Sequence, residues 1–215
     1  MKSIQLVVWD LDGTLVDSLP TTFAAFNAGL EPFLGRTLTP KEIMGHFGPP
    51  DQLILKKLVG ERHADDCIQL MLKYLLCNLD CIQPFLGILE VLSELKDQGI
   101  QQGIFTGRGR QTTEIILRHL KIEDYFVEVV TNDDVPNHKP APDGILKVCN
   151  IAQVTPANTL MIGDSSSDIL AGRAAGARTM SCTWDRHTDL EKLHLHQPDA
   201  MIEHPTKLLK ILESC

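Results

Sequence analysis

Two carboxylates stand two residues apart near the start of the chain, at Asp10 and Asp12, and Gly13 follows them. They come directly after the apolar run 4–9, which predicts a buried strand that ends where the acids begin. Ligands of open α/β sheets bind at the carboxyl ends of the strands. Two acids this close repel each other unless a cation or a shared proton intervenes. The pair therefore indicates a Mg²⁺ site, although a bare Asp-x-Asp also suits a strand end made of turn-forming residues.

Three later groups of polar residues could complete such a site. The groups are Thr106-Gly107-Arg108, Lys139-Pro140-Ala141-Pro142-Asp143, and Gly163-Asp164-Ser165-Ser166-Ser167-Asp168. Each also has a purely structural interpretation: the first as a turn, the second as a solvated lysine in a Pro-rich loop, and the third as a helix N-cap.

Strand-like segments alternate with helical patterns over most of the chain, which predicts an α/β fold with a parallel sheet flanked by helices. After the first strand, the predicted strands are 99–105, 128–131, 159–162, 178–182 and an edge strand at 199–202. All three groups of polar residues lie close to the ends of predicted strands or in the loops that follow them. We therefore expect one sheet edge to gather them.

The segment 19–81 breaks this alternation, because its apolar residues recur at helical spacing and it contains no convincing strand. A helical insertion directly after the first strand is well placed to cover the site. We expect a core formed by 1–17 and 83–215, and a small all-helical cap at 18–82.

The block from Asp10 to Ser18 resembles motif I of the haloacid dehalogenase-like hydrolases, Asp-x-Asp-Gly-Thr-Leu-x-Asp-Ser. Thr106 then matches motif II, Lys139 matches motif III, and Asp164 with Asp168 matches motif IV, in the family's order. The layout is similar to that of the phosphoglycolate phosphatase and β-phosphoglucomutase-like subfamilies. The resemblance implies a Rossmann-like core with a helical cap inserted after motif I.

The resemblance also implies a division of labour among the matched residues. Asp10 would be the nucleophile, and Asp12 the general acid and base. Thr106 and Lys139 would hold the phosphoryl oxygens. The implied Mg²⁺ ligands are Asp10, the Asp12 backbone carbonyl, Asp164 and, directly or through water or Lys139, Asp168.

Substrate-binding residues are expected around this centre. Thr14 is expected to orient Asp12. Gly107 stands where many relatives have Asn, so Arg108 or backbone N–H groups would supply the missing donor. Gly48 and Pro49 belong to a loop, 46–51, that is expected to reach down from the cap; a rigid turn between two cap helices is an equally good interpretation.

Composition narrows the classes of partner. The chain of 215 residues carries a formal net charge of −8, which argues against a broad nucleic-acid surface. No apolar run approaches the ~20 residues needed to span a bilayer, and we expect neither a secretory signal nor a membrane partner. The six cysteines lack zinc-type spacing, which favours reduced thiols in a cytoplasmic protein. The expected partner is a small phosphorylated metabolite, and the expected state is a monomer or homodimer.

Four functions stay open at this point. A Mg²⁺-dependent phosphatase acting on a small phosphate monoester fits best, and a phosphomutase is the main alternative. A haloacid dehalogenase and a non-enzymatic phosphate-binding regulator fit less well, because Asp12 and all four motifs are intact. Phosphoglycolate, sugar phosphates, pyridoxal phosphate, nucleotides and pyrophosphate all remain open as substrates.

Overall fold

The computed structural model describes residues 4–213, and its centre is a six-stranded parallel sheet in the order β5-β4-β1-β6-β7-β8. The strands of this sheet are β1 (Leu6–Trp9), β4 (Gln101–Phe105), β5 (Glu128–Val130), β6 (Thr159–Gly163), β7 (Arg178–Cys182) and β8 (Ala200–Ile202); two further short strands are β2 (Val16–Asp17) and β3 (Gln83–Pro84). All six predicted strands are present, with ends that differ from the prediction by at most two residues. The predicted α/β class is confirmed.

Helices cover both faces of the sheet. They are α5 (Ile88–Asp97), α6 (Arg110–Leu120), α7 (Asp143–Ala152), α8 (Ser166–Ala175), α9 (Leu190–His196) and α10 (Lys207–Glu213). Alternate side chains of β1 belong to different cores, since Val7 and Trp9 join one apolar cluster while Leu6 and Val8 join the other. All four are fully buried, as expected for a central parallel strand covered on both faces.

Four helices lie between β2 and β3: α1 (Leu19–Leu34), α2 (Pro40–Met44), α3 (Asp51–Val59) and α4 (Glu61–Cys77). Their inner faces bury side chains such as Phe26, Leu30 and Met71 in the same apolar cluster that contains Trp9. The short strands β2 and β3 pair antiparallel, Val16 with Pro84 and Asp17 with Gln83, where the chain leaves and rejoins the α/β pattern. This pair was not predicted, because two-residue strands carry no periodic signal.

No helix among the described residues is long and apolar enough to cross a membrane. The cysteines at 67, 77, 81, 149 and 182 carry free thiols, and Cys215 lies outside the described residues.

Candidate active site

The register of the sheet brings three strand tips side by side. Trp9 is level with Ile104 on one neighbouring strand and with Ile162 on the other. Asp10, Thr106 and Asp164 each follow the last residue of one of these strands. The expected gathering of polar residues at one sheet edge is therefore present.

Lys139 joins two of the acids at this edge. Its Nζ donates to Asp10 Oδ1 at 2.7 Å and to Asp168 Oδ1 at 2.6 Å. The ammonium also lies 5.0 Å from the centre of the Phe105 ring, so its side chain is enclosed as well as paired. Burial lowers the pKa of Lys139, but the charges of Asp10 and Asp168 outweigh burial and leave it above its usual value. The lysine is thus held as a cation beside Asp10.

The carboxylates carry more negative charge than one lysine can neutralise. Burial raises the pKa of Asp10 to about 7, with Asp168 and Asp12 adding to the rise and Lys139 opposing it. Burial, together with Asp10 and Asp168, also raises the pKa of Asp164 well above its ordinary value. Raised carboxyl pKa values of this kind indicate that binding of a further cation here would be favourable.

The same residues fit a divalent cation. One carboxylate oxygen each from Asp10, Asp164 and Asp168 can be chosen so that all lie within 4.8 Å of one another. Oxygen ligands of this kind suit Mg²⁺. Asp168 already uses both oxygens in the protein, since Oδ1 accepts from Lys139 and Oδ2 accepts from the Ser165 backbone N–H at 3.0 Å and hydroxyl at 2.6 Å. These contacts favour the indirect role for Asp168, through Lys139, and leave Asp10 and Asp164 as the freer ligands.

Glycine is required where the chain turns after β1. Gly13 has φ +78°, and a Cβ built there would lie 2.6 Å from Asp164 Oδ2. A side chain at this position would therefore strain the backbone and displace a candidate ligand.

Asp12 points to Arg108 instead of to the acidic cluster. Arg108 Nη2 donates to Asp12 Oδ1 at 2.7 Å, and Nε donates to Oδ2 at 3.0 Å. The Ser18 hydroxyl donates to the same carboxylate, and Arg108 Nη2 also reaches Thr22 Oγ1 at 2.5 Å. Ser18 precedes α1 and Thr22 lies within it, so Asp12 and Arg108 are held against the first helix of the helical segment.

A second acid lies on the far side of Arg108. Asp51, the first residue of α3, has Oδ2 4.0 Å from Arg108 Nη1 and accepts from the Thr112 hydroxyl at 2.6 Å. Burial raises the pKa of Asp51, while Arg108 and Thr112 oppose the rise. Burial lowers the pKa of Arg108, but Asp12 and Asp51 more than reverse this. One buried guanidinium thus pairs with two carboxylates.

The structure corrects one expectation about the surrounding residues and restricts another. Thr14 is fully buried and its hydroxyl donates to Asp164 Oδ1 at 3.3 Å, so it contacts the candidate metal ligand rather than orienting Asp12. The chain turns at Gly13, and Thr14 is not among the residues that line the cavity. Either Arg108 or backbone N–H groups were expected to donate to a phosphate. Nε and Nη2 of Arg108 donate to Asp12 and Thr22, which leaves Nη1 for such a contact, and the role of Arg108 stays a prediction.

A cavity of about 370 Å³ opens over these groups. Thr106, Gly107 and Lys139 line its floor, and Gly48 and Pro49 line its wall. The loop that carries Gly48 is tied to the core by Asn132, whose Nδ2 donates to Gly48 O at 2.5 Å and to Gly107 O at 2.7 Å. Residues of the loop 46–51 therefore line the cavity in the structure, and their substrate contacts stay predictions.

Sequence reasoning missed the roles of Ser18, Thr22, Asp51 and Asn132. Asn132 follows a predicted strand by one residue, so the rule that placed Asp10 and Asp164 at strand tips could have found it. Nothing in the local pattern marks Thr22 and Asp51, since their partner Arg108 is far away in sequence. Ser18 is different, because its partner Asp12 lies only six residues away.

Comparisons with known proteins agree with this geometry. Residues 7–182 match the family described as haloacid dehalogenase-like hydrolase. Pyrophosphatase PpaX from Anoxybacillus flavithermus is 30% identical over 211 residues, covering 98% of this chain and 97% of the relative. The PpaX pyrophosphatase from Bacillus cereus strain B4264 is 30% identical over 212 residues, with the same two coverages.

Solved structures give the same fold. A hydrolase from Pseudomonas syringae has 27% identity and a TM-score of 0.81, covering 100% of this chain and 99% of the other. CbbY from Rhodobacter sphaeroides, solved with phosphate, has 19% identity and a TM-score of 0.80, covering 95% and 96% of the two chains. The sheet, the strand-tip acids and these matches define a hydrolase with the Rossmann-like fold of that superfamily. The chain belongs to the haloacid dehalogenase-like hydrolase family.

Proposed function

We propose that this enzyme is a Mg²⁺-dependent phosphatase that hydrolyses a small phosphate monoester through an aspartyl-phosphate intermediate. The observation that carries the proposal is the placement of Asp10. Its carboxylate lies at the tip of the central strand, in contact with the buried Lys139 and beside Asp164 and Asp168. A nucleophilic carboxylate with a fixed cation on one side and a cation site on the other suits attack on an anionic phosphorus centre.

The first step forms the phosphoenzyme. An Asp10 oxygen attacks phosphorus, and the bond from phosphorus to the leaving oxygen breaks. Asp12 donates its proton to that leaving oxygen, so the alcohol departs neutral. Lys139 and the Thr106 hydroxyl hold the phosphoryl oxygens in line with Asp10, and both line the cavity floor.

The second step releases phosphate. Asp12, now ionised, takes a proton from a water molecule whose oxygen attacks phosphorus, and the bond to Asp10 breaks. Arg108 and Ser18 position the Asp12 carboxylate through the hydrogen bonds they donate to it. Asp12 regains from water the proton that it gave to the leaving oxygen, so the protons balance over the cycle.

Mg²⁺, when bound, would neutralise charge on the phosphoryl group and on Asp10. Asp10 and Asp164 would hold it by carboxylate oxygens, with the Asp12 carbonyl as a further ligand. Asp168 would contribute chiefly by fixing Lys139.

The proposal assigns the helical segment 18–82 to the role of a cap that sets the choice of leaving group. Residues 1–17 and 83–215 would form the catalytic core. Support comes from the position of the loop 46–51 over the acids and from its hydrogen bond to Asn132.

Phosphate release from a panel of small phosphate esters, with and without Mg²⁺, tests the proposal. We expect turnover of at least one ester that EDTA abolishes and excess Mg²⁺ restores. Asp10→Asn should lower turnover by at least about 10³-fold, whereas Asp65→Asn, on the exposed face of α4, should leave it unchanged. No release from any ester by folded, Mg²⁺-loaded enzyme would contradict the proposal, and isomerisation of a sugar phosphate without phosphate loss would indicate a phosphomutase.

A further inference from the structure

The cavity is already rich in negative charge before any substrate enters. Six aspartates and three permanently basic side chains line it: Asp10, Asp12, Asp51, Asp164, Asp168 and Asp189, against Lys139, Arg108 and Lys192. With His187 neutral and all six aspartates ionised, this lining carries a formal charge of −3, which becomes −2 when Asp12 holds the proton that the proposed first step uses. One divalent cation would then only balance the lining, and the phosphoryl group of a substrate adds further anionic charge. A second anionic group on the substrate would therefore need a positively charged side chain that is not already paired with an acid.

The wall contributed by the helical segment does not offer one. Its side chains at the cavity are mostly apolar: Leu19, Met44, Phe47, Pro49 and Ile54. Phe47 also lies against the rings of Phe23 and Phe26, with centroids 6.4 and 6.2 Å away. The surface facing the leaving group thus suits a neutral, partly apolar body.

Arg108 is the cation best placed to bind an anionic leaving group, but Asp51 balances its charge, and so does Asp12 whenever that carboxylate is ionised. Asp12 accepts from its Nη2 at 2.7 Å, and Asp51 Oδ2 lies 4.0 Å from its Nη1. The Thr112 hydroxyl donates to the same Asp51 oxygen at 2.6 Å and so holds the carboxylate in place. Asp12 belongs to the proposed chemistry, which leaves Asp51 as the acid whose evident effect is to neutralise Arg108.

The two basic residues at the rim are less suited to the task. Lys192 pairs with Asp189 at 3.1 Å and its side chain is 66% exposed to solvent. His187 packs edge-on against Phe23, with ring centroids 5.4 Å apart, and its backbone N–H donates to Asp185. Neither supplies a buried positive charge opposite the acids.

We infer that the site takes phosphate monoesters whose leaving group carries no negative charge, and that Asp51 enforces this choice by neutralising Arg108. The inference rests on the proposed phosphatase function and narrows its substrate class. It also separates this enzyme from its PpaX relatives, whose name gives pyrophosphate as the substrate. The leaving group of pyrophosphate is itself an anion.

A matched pair of esters tests the inference in the Mg²⁺-loaded wild-type enzyme. 2-Phosphoglycolate and its uncharged primary amide have nearly the same size and differ by one charge. We expect kcat/KM for the amide to exceed that for the acid by about tenfold or more, the scale of one charge interaction in a partly screened site. Pyrophosphate should be turned over no better than the acid.

Asp51→Asn should change this ratio. The substitution keeps the shape of the side chain and an acceptor for Thr112, but it leaves Arg108 with an uncompensated charge. We expect the acid-to-amide ratio of kcat/KM to rise by about tenfold relative to wild type. Because Asp51 is buried and its replacement risks misfolding, Phe47→Arg provides a second variant at a side chain that is 41% exposed. It should move the ratio in the same direction, and Phe47→Leu is its uncharged control.

The outcomes are distinguishable. A preference for the amide, with a ratio that Asp51→Asn moves towards the acid and Phe47→Leu does not, supports the inference. If Asp51→Asn does not fold, a shift in Phe47→Arg supports the charge argument alone. Equal turnover of both esters, or faster turnover of the acid or of pyrophosphate, overturns the inference and leaves the phosphatase assignment intact. If the wild-type enzyme hydrolyses neither these esters nor any other phosphate ester in the panel, the phosphatase assignment fails and the inference falls with it.

Discussion

Arg108 contacts residues both from the edge of the sheet and from the helical segment. It lies in the loop after β4, and its partners are Asp12 from the loop after β1, Thr22 from α1 and Asp51 from α3. A buried charge is costly unless it is paired and hydrogen-bonded, so these contacts depend on one another. The guanidinium therefore holds both the proposed acid–base residue and the beginning of α3 in place.

Arg108→Met should destabilise the protein markedly, because it leaves the buried Asp51 and the partly buried Asp12 without their cation. We expect a loss of about 3 kcal/mol in the free energy of unfolding, measured by urea denaturation. Arg36→Met is the control, since Arg36 pairs with Glu42 on the exposed surface and should change little. Equal effects of the two substitutions would contradict the assigned role of Arg108.

Asp134 has a comparable but simpler role in the loop after β5. Its Oδ2 accepts from the backbone N–H and hydroxyl of Thr131, each at 2.7 Å, and from Arg110. Partial burial raises the pKa of Asp134, but these hydrogen bonds and the arginine outweigh burial and leave it below its usual value. The loop that Asp134 closes carries Asn132, which holds the loop 46–51 over the site.

Asp134→Asn should lower the free energy of unfolding by about 1 kcal/mol near neutral pH. Because the folded-state pKa is depressed, the stabilising contribution of the carboxylate is present above the unfolded-state pKa and is lost as pH falls through the folded-state value. The difference between wild type and Asp134→Asn should therefore shrink below about pH 4. Asp97→Asn, at an exposed residue, is the control for the same substitution at a surface site. A difference that stays constant down to pH 2 would be inconsistent with this role.

At the scale of elements, the parallel strands and the turn after β1 create the site. The strands β1, β4 and β6 end within one residue of the same level, so residues far apart in sequence meet at one edge. The turn then needs Gly13, whose φ of +78° also brings the backbone close to Asp164. Backbone geometry and the placement of a candidate metal ligand are thus linked at one residue.

Comparing Gly13→Ala with Gly176→Ala separates these two requirements. Their φ angles are nearly equal, +78° and +80°, but a Cβ at Gly176 would meet nothing within 4 Å. Both substitutions should cost about 1 kcal/mol of stability for the positive φ. Only Gly13→Ala should also displace Asp164 and weaken Mg²⁺ binding in isothermal titration calorimetry. Unchanged Mg²⁺ affinity in Gly13→Ala would show that Asp164 does not depend on this close approach.

Local sequence patterns were sufficient to predict the sheet and its acidic edge, and insufficient to predict the contacts around Arg108. Strand periodicity and the position of Asp10, Thr106 and Asp164 after strands are properties of short windows. The pairing of Arg108 with Asp12 and Asp51 depends on where α1 and α3 pack over the sheet, which no short window contains. For the same reason the partner of Thr14 was predicted wrongly, since Asp164 lies 150 residues away from it in sequence.

Charge is distributed unevenly over the molecule as a whole. The net charge of −8 includes buried acids that face one cavity, and the pKa values of Asp10 and Asp164 are raised there. A bound divalent cation would relieve this repulsion only in the folded state. Binding to the folded state alone stabilises a protein in proportion to the logarithm of ligand concentration.

Mg²⁺ should therefore raise the melting temperature of the enzyme. At a concentration about 100 times its dissociation constant, the gain in the free energy of unfolding should be about 2.7 kcal/mol. Differential scanning calorimetry with NaCl at matched ionic strength provides the comparison. Asp164→Asn should lose most of the gain, and an equal gain in wild type and Asp164→Asn would place the bound ion elsewhere.

Asp10, as the residue that receives the phosphoryl group, is central to the proposed function. The direct measurement is a rapid acid quench of the Mg²⁺-loaded enzyme during turnover of an ester it hydrolyses, followed by peptide mapping with mass spectrometry. We predict phosphate on Asp10 in the wild-type enzyme and none in Asp10→Asn. Phosphate on another residue, or phosphate release by Asp10→Asn at the wild-type rate, would contradict the account.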